Sequence, residues 1–161
     1  MSKGNIATAL LLAAMKGHPP VVRLLLERGA DRNKMDLEGA TPLLMACQQQ
    51  NVGVVQILLR AGADVNRADC DGSTPLSAAA MNGDREMVSL LVEAGALLNT
   101  ADTLGNTPLL LAAGRGGSTE VVKILLERGA NTQVTNAAGL TPLSAAYSHG
   151  CNGSVKLLKG V

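Results

Sequence analysis

The chain has 161 residues, and among them there is no Trp, no Phe and a single Tyr, Tyr147. Large rings ordinarily dominate core energetics, so the core here must be aliphatic and built from many small contacts. Cysteine is scarce as well. Cys47, Cys70 and Cys151 make an odd count without paired or metal-type spacing, which argues against a disulfide framework and for the reducing cytoplasm or nucleus. Neither sign of charge is in excess, with 14 Lys and Arg against 13 Asp and Glu. Without a basic stripe or rings for base stacking, nucleic acid is not an expected partner. No apolar run approaches the roughly 20 residues of a membrane span, so a membrane is not expected either. The start, MSKGNIATALLLAAMKG, has the layout of a signal peptide, with Lys3 followed by an apolar run from Ile6 to Met15. That run stands in register with a segment found at four later places, so it reads as structure.

What the sequence does contain is repetition. The stretch DGSTPLSAAAMNGDREMVSLLVEAGA, residues 71–96, opens with the turn dipeptide Asp71-Gly72. Thr74 then supplies an N-cap oxygen and Pro75 a residue pre-set for the first helical position. A short helix follows through Leu76 and the small residues Ser77 to Ala80, and ends near Asn82-Gly83. Asp84 can cap a second helix, in which Met87, Val88, Leu90, Leu91 and Val92 form one broad apolar face, and Gly95 falls where a left-handed C-terminal residue is expected. Isolated helices below about 12–15 residues are marginal in water, so this unit needs neighbours.

The neighbours are copies of it. Thr8, Thr41, Thr74, Thr107 and Thr141 recur at spacings of 33, 33, 33 and 34 residues, and Gly29, Gly62, Gly95 and Gly129 at 33, 33 and 34. The first helix reads TALLLAA, TPLLMAC, TPLSAAA, TPLLLAA and TPLSAAY, and the second reads VVRLLLERGAD, VVQILLRAGAD, MVSLLVEAGAL, VVKILLERGAN and SVKLLKGV. The turns DLEGAT, DCDGST, DTLGNT and NAAGLT introduce the second to fifth copies. A 33-residue period with a T-P-L-H-x-A pattern is that of ankyrin repeats, and the chain resembles that family over nearly its whole length. The resemblance implies an all-α solenoid of stacked helix-turn-helix units with short β-hairpin or turn tips. It makes residues 1–161 a single domain with repeats near 1–35, 36–68, 69–101, 102–135 and 136–161. One departure recurs: where the family has His after T-P-L, this chain has Leu11, Leu44, Ser77, Leu110 and Ser144. Repeat 4 carries one extra residue in GRGGST, expected on the connection between its helices.

Catalysis finds little support. His18 and His149 lie four repeats apart, some 30–40 Å at about 8–10 Å per helix layer, so they cannot share a metal or a triad. His18 is expected to cap the second helix of its repeat. GRGGST lacks the lysine of a P-loop and follows a helix where a P-loop follows a strand. Asp64, Asp69 and Asp71 follow the turn pattern and are read as turn hydrogen-bonding groups. Neither a cofactor nor a metal is expected. Cys47 takes the place of a helix alanine and reads as a small buried hydrophobe, whereas Cys70 falls in a tip, exposed, where a regulatory thiol is conceivable.

The five copies also separate positions that the architecture holds constant from positions that it leaves free. The free ones lie in the tips (Leu37, Glu38, Ala40; Cys70, Asp71, Ser73; Thr103, Leu104, Asn106; Ala137, Ala138, Leu140) and at the end of the first helix (Met15, Lys16; Gln48, Gln49; Met81, Asn82; Gly114, Arg115; Ser148, His149). In ankyrin-repeat proteins such places form the concave, partner-binding side. The resemblance therefore implies a non-catalytic protein-binding module, an adaptor, scaffold or inhibitor. Leu37, Leu104, Leu140 and Met81 would be the apolar anchors, and Glu38, Asp71 and Arg115 the orienting rim. The partner is another protein, and the chain is expected to be a monomer unless part of something larger. Repeat 1 carries Ala9 in place of proline, and repeat 5 puts Ser154 and Lys159 where its siblings have Val and Leu, polar substitutions expected on an outer face. The alternatives are an excised targeting or regulatory domain, and an engineered or selected binder, which framework differences at Ala9, Leu97, Ser154 and Lys159 disfavour. The family also implies that a loop asparagine, Asn66 in GADVN, is a candidate for hydroxylation, with Asn33 and Asn99 at the same position.

Overall fold

The structure is a computed structural model, describing residues 3–114 and 118–160 and side chains from Thr8 onward. Ten helices follow in order among the described residues: α1 Lys3–Met15, α2 Pro19–Glu27, α3 Pro42–Gln48, α4 Val52–Arg60, α5 Pro75–Met81, α6 Arg85–Glu93, α7 Pro108–Ala113, α8 Thr119–Glu127, α9 Pro142–Ser148 and α10 Asn152–Lys159. Odd-numbered helices pack on odd and even on even, while each odd helix also packs on the even one that follows it. The result is a two-layer stack of five antiparallel helix pairs.

The odd helices start where threonine and proline place them. Thr41, Thr74, Thr107 and Thr141 each sit in extended backbone, and their hydroxyls accept from the amides of Leu44, Ser77, Leu110 and Ser144. This satisfies one of the amides that a helix start leaves unpaired. Where serine stands three residues on, the bond is returned: the Thr74 amide donates to Ser77 Oγ at 2.9 Å and the Thr141 amide to Ser144 Oγ at 2.8 Å. These two serines complete a capping box, which the leucines of the other repeats cannot do.

Repeat 1 departs from the pattern. Thr8 lies inside α1, which begins at Lys3 and is nearly twice as long as its siblings. With Ala9 in place of proline, the backbone amide needed to continue the helix upstream is present. In the even helices Asp84 caps α6 as expected, its carboxylate accepting from the Met87 amide, and Ser118 caps α8. His18 occupies the N-cap position of α2, but its side chain makes no capping bond.

The core is aliphatic throughout. Leu10, Leu43, Leu76 and Leu109 are buried at one register position of the odd helices, with Val22, Val55, Val88 and Val122 facing them from the even layer. Ala46, Ala79, Ala112 and Ala146 are fully buried between odd helices, and their small size lets these helices approach closely. Two register positions give different results at the C-terminal repeat. Lys159 is exposed as expected, with its ammonium 5.2 Å from the centroid of the Tyr147 ring. Ser154, expected on an outer face, is instead fully buried, and its hydroxyl has no hydrogen-bond partner. Its equivalents Val54, Met87 and Val121 are also buried, because this position faces the preceding repeat and not the open end.

Candidate interaction face

Each tip is a five-residue hairpin turn closed at its base by one backbone bond. The amides of Asp36, Asp69, Asp102 and Asn136 donate to the carbonyls of Ala40, Ser73, Asn106 and Leu140. The same four residues fold their side chains back: one carboxylate oxygen of Asp36 accepts from both the Glu38 and Ala40 amides, and Asp69, Asp102 and Asn136 do the same in their tips. The tips are turns, with no strand among the described residues.

Successive tips are joined. Cys70 N–H donates to the Glu38 carbonyl at 2.9 Å, Thr103 N–H to Asp71 at 2.9 Å and Ala137 N–H to Leu104 at 2.8 Å. Glycine makes the close approach possible at Gly72, whose φ is +78° and where a Cβ would lie 2.9 Å from Asp102 Cα. One backbone ladder thus runs along all four tips and holds their side chains in fixed relation.

Of the residues assigned to this face, Leu37, Glu38, Cys70, Asp71, Thr103, Leu104, Ala137 and Ala138 are exposed on the tips, and Gln48, Gln49 and Met81 are exposed at helix ends. Leu37 is fully exposed, Leu104 62% and Met81 40%. Ser73, Asn106 and Leu140 are half-buried. Ala40 is a correction: it is 6% exposed and packs beneath its tip as part of the core. Arg115 lies outside the described residues, as do Gly116 and Gly117 of the GRGGST connection. Leu37 and Leu104 stand on the first and third tips, and the second, bearing Asp71, lies between them, so the apolar anchors do not form one continuous patch.

Two assigned residues have structural work that the sequence did not reveal. The Asn82 amide donates to the carbonyls of Cys47 and Gln48 at the end of α3, both at 3.3 Å, just as Asn51 donates to Ala14 and Met15 at the end of α1. Helix C-termini leave carbonyls unpaired, and these asparagines satisfy them from the next repeat. Asn106 accepts from Asn136 Nδ2 at 2.7 Å and donates to Asp102. The loop asparagines form a further ladder: Asn33, Asn66 and Asn99 accept from the amides of Asp64, Leu97 and Asn131, and Asn66 also donates to the Gly95 carbonyl. Their 33-residue spacing was the available signal for this role.

At the N-terminal end, a groove of about 890 Å3 opens between α1 and the first tip. Leu11, Met35 and Leu37 line it together with two carboxylates, Asp31 and Asp36, and two bases, Lys34 and Arg67. No group of His, Cys, Asp or Glu suited to hold a metal occurs among the described residues, and no described helix is long and apolar enough to cross a membrane. Cys47 is fully buried, and that burial, reinforced by the Asp84 charge, pushes its thiol far above the ordinary range. Cys70 is exposed and Cys151 half-buried, and all three are free thiols.

The family model for ankyrin repeats (3 copies) matches residues 2–69, 53–136 and 95–160. The chain belongs to the ankyrin-repeat family. Comparison with the curated proteins gives no match. Ankyrin repeats are generally protein–protein interaction modules, and the family is typically non-catalytic.

Proposed function

We propose that this chain is a protein-binding adaptor, scaffold or inhibitor module that receives its partner on the hairpin tips and the C-terminal ends of the odd helices. One observation carries the reading: the ladder Cys70–Glu38, Thr103–Asp71, Ala137–Leu104 locks exposed side chains that differ from copy to copy. A surface already ordered before binding loses less entropy on association. Leu104 and Met81 supply apolar contact and Glu38 and Asp71 orientation, the division expected between anchors and rim.

The partner in this reading is a protein, and neither metal nor cofactor takes part. Three free thiols fit a reducing compartment, the cytoplasm or nucleus. The test is quantitative capture of partners from a cell lysate by the native chain and by a Met81→Glu, Leu104→Glu variant, both shown folded by circular dichroism. A partner retained by the native chain and lost at least tenfold by the variant is the expected result. Equal retention moves the site off this face.

A further inference from the structure

The tip ladder has an unfilled end. In the second, third and fourth tips the amide of the second tip residue donates to the preceding tip, through Cys70, Thr103 and Ala137. The equivalent residue of the first tip is Leu37, and its amide has no hydrogen-bond partner among the described residues. The sequence explains why. Repeat 1 has no tip before it, since α1 runs back to Lys3 over the stretch where a tip would form. Beside this free donor lies the groove lined by Leu11, Met35 and Leu37.

We propose that this edge takes one further rung: an extended segment of a partner protein, whose backbone carbonyl accepts from Leu37 N–H and whose apolar side chain enters the groove. The inference rests on the protein-binding reading and assigns it a specific place and a class of ligand. Continuity of the ladder is the main argument, because three copies of the same donor are already satisfied by a carbonyl arriving from the N-terminal side. An extended chain offers such a carbonyl, whereas a helix has used most of its own. Addition of a strand to an unpaired backbone edge is an established mode of peptide recognition.

The groove sets the rest of the ligand's chemistry. Its volume falls in the range of small-ligand sites, room for a few residues. Its two carboxylates and two bases balance, so it selects no sign of charge, while Leu11, Met35 and Leu37 favour an apolar side chain. A second copy of the chain fits less well. Its α10 exposes Lys156 and Lys159, whereas α2 exposes Val21 and Leu24, so stacking a second copy sets a charged face against an apolar one.

The test selects displayed heptapeptides with one central apolar residue in an uncharged background against the full chain. Selected peptides are then measured by fluorescence polarisation on the native chain and on Leu37→Ala, Leu37→Pro and Leu104→Glu variants. Proline suits the second position of a tight turn, so Leu37→Pro removes the donor while keeping the turn. The expected result is binding about tenfold weaker for Leu37→Ala, for loss of the anchor, and a further two- to tenfold weaker for Leu37→Pro, for loss of one hydrogen bond. In the native chain the Leu37 amide resonance is among those that move most on saturation. Failure to enrich any peptide overturns the proposal, as does equal binding by the Ala and Pro variants or an unmoved Leu37 resonance. Peptides that depend on Leu104 and not on Leu37 overturn it while leaving the concave-face reading intact. A concentration-dependent dimer lost in Leu37→Pro names a second copy as the occupant and also overturns it.

Discussion

At the scale of single residues, three positions carry consequences that the repeat pattern makes measurable. Ser154 buries a hydroxyl without a partner, and such a group costs about 1–3 kcal/mol. Ser154→Val, which restores the residue of Val54 and Val121, is expected to raise stability by roughly 1 kcal/mol, seen as a higher urea midpoint with an unchanged slope. Gln50 has φ +57°, where its equivalents Gly17, Gly83 and Gly150 are glycines at +67° to +68°. Left-handed backbone costs a residue with a Cβ about 1–2 kcal/mol, which glycine's greater freedom in the unfolded chain partly offsets. Gln50→Gly should therefore be neutral to stabilising, whereas glycine substitutions elsewhere on helix ends destabilise. The raised Cys47 thiol fixes a pH dependence with a definite sign. Above about pH 8.5 an unfolded thiol ionises while the buried one stays protonated, so the unfolded state binds fewer protons and stability falls as pH rises. Between pH 8 and 10 the native chain should lose more stability than Cys47→Ala.

At the scale of elements, the tips and caps are where a small change has the clearest expected effect. Gly72 and Gly139 have similar φ values, +78° and +75°, but a Cβ at Gly72 meets Asp102 Cα at 2.9 Å while Gly139 has nothing within 4 Å. Gly139→Ala should cost only the left-handed penalty of about 1–2 kcal/mol. Gly72→Ala should cost distinctly more, because backbone must move and the rung from Thr103 to Asp71 lengthens. Equal urea midpoints for the two variants would mean that the tips are not held together as described. How legible these elements were depended on local chemistry. Thr-Pro at 33-residue spacing marks a helix start wherever proline blocks extension upstream, and this succeeded four times. It missed at Thr8, since a threonine without the following proline is an ordinary helical residue and nothing nearby stops α1 from reaching back to Lys3.

For the whole molecule, stability is close to a sum of repeat and neighbour terms, so it should vary along the stack. The central pair α5 and α6 is covered on both sides, by α3 and α4 and by α7 and α8. The final pair α9 and α10 is covered on one side and contains Gly153 and the unsatisfied Ser154. Native-state hydrogen exchange is expected to open α9 and α10 first and α5 and α6 last. Uniform protection along the chain would show a unit more cooperative than stacking alone provides. The asparagine bridges from Asn51 and Asn82 to the preceding helix ends raise coupling between the first three repeats, whereas at the end of α7 the Gly114 carbonyl is met by Cys151 Sγ at 3.8 Å.

The sequence by itself determined the repeat, its period, the helix pairs and the aliphatic core, because each depends on contacts within about 33 residues or on a pattern copied five times. It also separated tip positions such as Leu37 and Leu104 from the buried frame. Tertiary structure alone decided which side of a helix meets a neighbour: Ser154 faces inward and Lys159 outward, though both break the pattern in the same helix. It decided that Ala40 lies beneath its tip, that Asn82 reaches back to α3, and that the ladder stops at Leu37 N–H. These outcomes depend on how adjacent repeats are placed, and a single copy of the repeat holds no record of what stands beside it.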